Sequence, residues 1–166
     1  MPFKDLLSAD RIAILAEPGD HLAVLDAASR LLAGNLPAAA GAGFSSAGLT
    51  DAIGESLRNR ERLASTAIGH GVAIPHGRLP TIEESRGAFL RLAKPVDFGA
   101  ADGQPVDLVV AMAVPEHYVQ QHLQQLAEMA ERFASPRFRA RLRAAADVTE
   151  LRCALLDGAY ADPERT

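Results

Sequence analysis

Apolar and polar positions follow two rhythms along this chain, and the change of rhythm separates predicted helices from predicted strands. Residues 11–16 form a short apolar run that suits a strand. In EPGDHLAVLDAASRLLAG the helical period takes over: Leu22, Leu25 and Leu32 line one face with small alanines, Asp20 is placed to cap the start and Gly34 to end it. Residues 35–48 are rich in Ala, Gly and Ser, contain Pro37, and read as a flexible connection. Thr50 then caps a second predicted helix, TDAIGESLRNRERLA, with Ile53 and Leu57 facing inward. GVAIPHGRL is short, apolar and bounded by glycine, like a strand that ends at Pro75. RGAFLRLAKPVDF alternates at Ala88, Leu90 and Leu92 until Lys94–Pro95 breaks it, and VDLVVAMAV is apolar enough for a strand covered on both faces. YVQQHLQQLAEMAERFA is amphipathic. Ser135–Pro136 interrupts it and starts PRFRARLRAA with Pro136 in the first turn. Asp147 caps a last helix, DVTELRCALL, and DGAYADPERT reads as a loose tail.

Alternating strands and helices predict an α/β protein, a three-layer sandwich with a central mixed sheet flanked by helices. The expected organisation is a single domain over residues 1–158 with a loose tail over 159–166. A chain of 166 residues buries roughly two-thirds of its unfolded surface, enough for a core without staples. Its net charge of −4 argues against a general nucleic-acid binder. No apolar run approaches the roughly 20 residues of a membrane span. The N-terminal MPFKDLLSADRIA lacks the pattern of a secretory signal, and a single cysteine forbids an internal disulfide. Together these point to the cytoplasm. Cys153, among the apolar residues of LRCALL, reads as a buried structural thiol.

The chemistry concentrates around histidine. His76 follows the strand GVAIP at the kind of strand end where α/β proteins gather active groups. Pro75 holds the preceding residue extended, while Gly77 gives the backbone room to turn and to aim an N–H at an anion. His122 lies one turn before Leu126 on the inward edge of its helix, whose inner side reads Leu123, Leu126, Ala127, Ala130 and Phe133 and whose polar side includes Gln121, Gln124, Gln125 and Glu128. A satisfied core histidine is the plain reading of that position, and the sequence alone does not bring His122 to His76. His21 and His117 read as surface residues and His70 as a loop residue. Arg58, Arg60 and Arg62 cluster near a helix C-terminus, where basic side chains suit the dipole. A zinc hydrolase built on His70, His76 and His122 is a poor fit: the His70–His76 spacing matches no helical ligand pair, and no acidic base is evident.

STAIGHGVAIPHGRL resembles the active-site segment of the IIA domains of the fructose/mannitol class in the bacterial sugar phosphotransferase system, their nitrogen-regulatory branch most of all. The resemblance runs from RNRER through ADGQPVDLVVAMAVPE to QQHLQQLAEMAERF. It implies a phosphocarrier that takes a phosphoryl group on His76 from an HPr-like phosphohistidine donor, with His122 as second active-site histidine and an arginine lining the site. Arg60 fits that arginine best; Arg58 and Arg62 compete with it. Gly77, Arg78 and Thr66 are candidate phosphate contacts, although a loop hydroxyl bonded to its own backbone is the plainer reading of Thr66. No metal or cofactor is required. The resemblance further implies regulatory targets such as a sensor kinase or a potassium transporter, without membrane insertion. The alternatives are a binding module of the same fold that is never phosphorylated and the sugar-delivery component of a transporter.

Overall fold

A computed structural model describes residues 6–34, 46–80, 82–117 and 119–156. The described elements are a 3-10 turn at Ala9–Arg11, strands β1 (Ile12–Leu15), β2 (Ala67–Gly69), β3 (Val72–Ala73), β4 (His76–Leu79), β5 (Arg86–Val96) and β6 (Val106–Pro115), and helices α1 (His21–Ala33), α2 (Ser46–Leu63), α3 (Val119–Phe133), α4 (Pro136–Ala144) and α5 (Val148–Leu156). The strands form one mixed sheet in the order β1-β5-β6-β3-β2, with β4 also paired to β6. β5 and β6 are antiparallel at its centre; β1 runs parallel to β5, and β3 and β4 run parallel to β6.

Side chains alternate across this sheet, so its strands supply two cores. Ala88, Leu90, Val109, Ala111 and Ala113 face α1 and α2, packing on Val24, Leu25, Leu32, Ile53 and Leu57. Phe89, Leu108, Val110 and Met112 face the other way, onto Met129, Phe133, Phe138, Leu142 and Leu151 of the three C-terminal helices. The expected three-layer sandwich is thus the observed one.

Local chemistry explains several boundaries. Asp20 accepts the Ala23 N–H at 2.9 Å, Ser135 accepts from Phe138 and Asp147 from Glu150, each a side-chain cap on an otherwise orphaned donor. α2 begins at Ser46, upstream of Thr50, so the end of the small-residue stretch is helical rather than a flexible connection. Residues 35–45 and the tail 157–166 lie outside the described residues. Gly54 lets α2 approach α1, because a Cβ there would stand 3.2 Å from Ser29 Oγ. β5 continues through Lys94–Pro95 to Val96; the irregularity expected there becomes a register shift between Arg91 and Val96 rather than an end. Cys153 is exposed, a correction to its reading as a buried thiol: α5 turns Leu151, Ala154 and Leu155 inward, and Cys153 falls outside that stripe.

The strand reading of GVAIPHGRL also changes. Val72 pairs with Leu108 and His76 with Met112, the same offset in both cases (108 − 72 = 112 − 76 = 36). The chain therefore keeps one register along β6 and is only interrupted at Ile74–Pro75, where Pro75 has no N–H to donate but its carbonyl still accepts from Met112 at 2.9 Å. His76 opens the resumed strand instead of entering a turn.

Candidate active site

Resumption of the strand fixes where His76 points. Its β6 neighbour Met112 belongs to the core under α3, so the His76 side chain falls on the α3 side of the sheet. There it meets His122, with ring centroids 4.9 Å apart and the planes inclined at 54°. His122 is 3% exposed. α2 ends on the other side of β4, and Arg60 in its last turn reaches the same ring.

Two hydrogen bonds set the His76 tautomer. Nδ1 lies 2.8 Å from the Ile74 carbonyl oxygen, which can only accept, so Nδ1 carries the proton. Arg60 Nε donates to Nε2 at 3.2 Å, which requires a lone pair on that nitrogen. The two contacts agree on one neutral ring, protonated at Nδ1 and nucleophilic at Nε2.

Burial lowers the pKa of His76, opposed by the Ile74 carbonyl and reinforced by the charge of Arg60. His122 is pushed down to about 4, first by burial and then by the charges of His76, Arg78 and Arg60. Unfolding restores ordinary proton affinity, so the unfolded chain binds more protons between pH 6.5 and about 4, and these rings erode stability as pH falls through that window. The melting temperature is expected to drop across this range, and His122→Asn to flatten the drop. Equal slopes for the two proteins would show that His122 is not held neutral by the fold.

The three competing arginines separate cleanly. Arg58 bridges to Asp26 of α1 at 2.9 Å, Arg62 donates to Asn59 at 3.0 Å, and Arg60 alone of the three hydrogen-bonds His76. Arg60 Nη1 also donates to the Ala64 carbonyl at 2.8 Å, which braces the side chain along the end of α2. Arg78 is exposed, and its charge acts on both imidazoles.

Thr66 is buried, and neither of its donors serves its own backbone. Its N–H and hydroxyl both bond the Glu61 carboxylate, at 3.0 and 2.7 Å. That clamp ties the end of α2 to the strand that follows. Gly77 lies within β4 and outside the positive-φ glycines, so it is no turn. Its missing side chain makes room for Ser56 of α2, whose Oγ donates to the Arg78 carbonyl at 3.0 Å.

His70 sits at the opposite end of β3 from His76, in the turn Gly69–His70–Gly71, where all three residues have positive φ. Asp102 accepts its N–H and Arg143 donates to its carbonyl, so it is held as a turn residue. Among the described residues no group of three or more His, Cys, Asp or Glu is arranged to hold a metal. His117 is exposed, and His21 is half-buried with its ring edge-on to Phe98 at 6.0 Å. The buried stripe of α3 runs His122, Gln125, Met129, Phe133, so Gln125 is an inner residue and Leu123, at 59% exposure, an outer one. Ser56 and Glu61 escape notice in the sequence, and Gln125 is read there as an outer residue. The signal for each is its helical spacing: Ser56 lies one turn before Arg60, Glu61 beside it, and Gln125 one turn after His122.

β4 thus presents an imidazole with one bare nitrogen between a second imidazole and a guanidinium. The family model for the EIIA 2 domain of the phosphoenolpyruvate-dependent sugar phosphotransferase system matches residues 6–157, and the chain belongs to that family. Within it, the chain is similar to proteins named nitrogen regulatory protein. The Pseudomonas aeruginosa one is 37% identical over 142 residues, covering 86% of each chain. The Bradyrhizobium diazoefficiens one is 47% identical over 96 residues, 58% of this chain and 63% of that relative's length. The crystal structure of IIA-Ntr from Neisseria meningitidis superposes with a TM-score of 0.76 at 34% identity, covering 92% of this chain and 97% of that one. The Escherichia coli mannitol IIA, at a TM-score of 0.69 and 19% identity over 90% of this chain and 98% of its own, shares the fold. No helix among the described residues is long and apolar enough to cross a membrane.

Proposed function

We propose that this protein carries a phosphoryl group on His76 Nε2, taken from an HPr-like phosphohistidine donor, and regulates partner proteins according to whether that group is present. The observation that carries this reading is the pair of hydrogen bonds that leaves Nε2 as the one unprotonated nitrogen of the ring while placing a guanidinium against it.

The step balances simply. The Nε2 lone pair attacks phosphorus, the donor's P–N bond breaks, and its electron pair returns to the donor imidazole. Positive charge appears on the His76 ring as the new bond forms, and the Ile74 carbonyl at Nδ1–H stabilises it. Arg60 exchanges its bond to Nε2 for one to a phosphoryl oxygen, so the group that occupies the lone pair at rest balances the incoming charge. Arg78 adds positive charge at the site, and His122, neutral at rest, stands beside the acceptor ring. Catalysis here is alignment and electrostatics, with no further nucleophile needed.

Incubation with a phosphorylated HPr-type donor, followed by intact-mass measurement, is expected to show a gain of one PO₃ group that is lost in acid. Arg60→Ala is expected to slow that gain by about a hundredfold, while Arg58→Ala and Arg62→Ala leave it near the parent rate. A folded protein that never gains the group would favour the unphosphorylated binding module. Equal rates for the three arginine variants would remove Arg60 from the mechanism.

A further inference from the structure

His122 and Gln125 share an unusual predicament. Both are more than nine-tenths buried, at 3% and 7% exposure. His122 Nδ1 and Gln125 Oε1 are both sealed from solvent without a hydrogen-bond partner. An unpaired buried polar atom is costly, and two on neighbouring residues invite one remedy. The residues lie three apart on the same face of α3, one turn from each other. Helical side chains lean toward the N-terminus, so Gln125 projects back over the turn that carries His122. One is a ring nitrogen that can donate, the other an oxygen that can only accept. A single bond between them would satisfy both.

Resting on the phosphocarrier reading for its purpose, we propose that Gln125 is a positioning residue: its carboxamide oxygen accepts the Nδ1–H of His122 and so leaves His122 Nε2 as the nitrogen offered to the phosphoryl group. When the dianionic group arrives on His76, His122 takes a proton from solvent at Nε2. The resulting imidazolium donates Nε2–H to a phosphoryl oxygen and Nδ1–H to Gln125. The amide is a neutral orienting partner that selects the tautomer before the group arrives and stabilises the cation afterwards. The charged and titratable groups that face His122 are His76 and Arg78 from β4 and Arg60 from α2. All three oppose its protonation in the empty site, so the phosphoryl charge is what turns the balance.

The test begins without any donor. Nitrogen-15 spectra of histidine-labelled protein are expected to show His122 protonated at Nδ1 in the parent and in Gln125→Glu, and shifted toward the Nε2–H tautomer in Gln125→Leu. The loss of the Nδ1–H tautomer in Gln125→Leu is the change that a merely structural residue would not produce. With donor present, Gln125→Leu is expected to slow uptake by about tenfold and Gln125→Glu to restore most of the rate. A parent protein with bare Nδ1, or a tautomer unchanged in a folded Gln125→Leu protein, overturns the proposal. An intact tautomer response in a protein that never takes up phosphate sinks the carrier reading and leaves the Gln125–His122 bond standing.

Discussion

A chain carrying alanine in place of His76 is expected to take up no phosphoryl group from a phosphohistidine donor, while melting within about 1 kcal/mol of the parent. The expectation of total loss rests on how the site divides its labour. Arg60 is a cation with no lone pair to give at any ordinary pH. His122 is 3% exposed with Nδ1 sealed from solvent, so a donor protein has little access to it as a substitute nucleophile. Only Nε2 of His76 combines a free pair with a neighbouring donor ready to balance the charge. The fold should survive, because His76 is half-buried and its hydrogen bonds reach one carbonyl two residues away and a guanidinium that keeps its second anchor on Ala64. Alanine at His122 removes a stabilising group but keeps the nucleophile, so uptake there is expected to slow without vanishing. Intact mass against time reads both, and a thermal melt confirms folding. Stoichiometric uptake by the His76→Ala protein would move the acceptor elsewhere and undo the assignment.

Those two histidines show what a sequence can and cannot disclose. The element order, the capping residues Asp20 and Asp147, the helix start at Ser135–Pro136, and the covered central strand β6 are all legible, because each depends on residues close together in the chain. His76 and His122 stand out separately, but 46 positions separate them, and only the pairing of β4 with β6 beneath α3 brings them together. Arg58, Arg60 and Arg62 lie at two-residue steps, roughly 200° apart around a helix. Choosing among them requires the line of β4, which no local pattern contains. The inner face of α3 was obscured by chemistry: judged by polarity, Leu123 belongs inside and Gln125 outside, whereas the spacing from His122 through Met129 to Phe133 places Gln125 within. Cys153 follows the same logic on α5, where apolar neighbours on every side conceal which stripe is buried. The start of α2 was invisible because alanine, glycine and serine carry no hydrophobic period.

Gly77→Ala is expected to unfold about 10 °C below the parent and, while still folded, to lose most of its phosphoryl uptake. An added methyl at Gly77 would overlap Ser56 Oγ outright, stand 2.8 Å from Ser56 Cβ and come within 3.1 Å of the Ser56 backbone carbon. A side-chain rotation relieves the first contact alone, so α2 itself must move away from β4. Overpacking of that kind costs about 3 kcal/mol, which for a chain of this length corresponds to the stated shift. The same movement carries Arg60, one turn beyond Ser56, off His76 Nε2, and misplacement by about 1 Å is enough to cost a hundredfold in rate. Ser56→Gly supplies the diagnostic partner. Alone it should destabilise, since it loses the bond to the Arg78 carbonyl and puts glycine inside a helix. Combined with Gly77→Ala it should stabilise, because it removes the two nearest obstructing atoms, giving a coupling of about 1–2 kcal/mol. Melting curves and uptake rates for the four proteins read this directly. A Gly77→Ala protein that melts and labels like its parent would mean that α2 is not seated on β4 at Ser56, and that Arg60 owes its position to something other than the bare backbone beside the acceptor histidine.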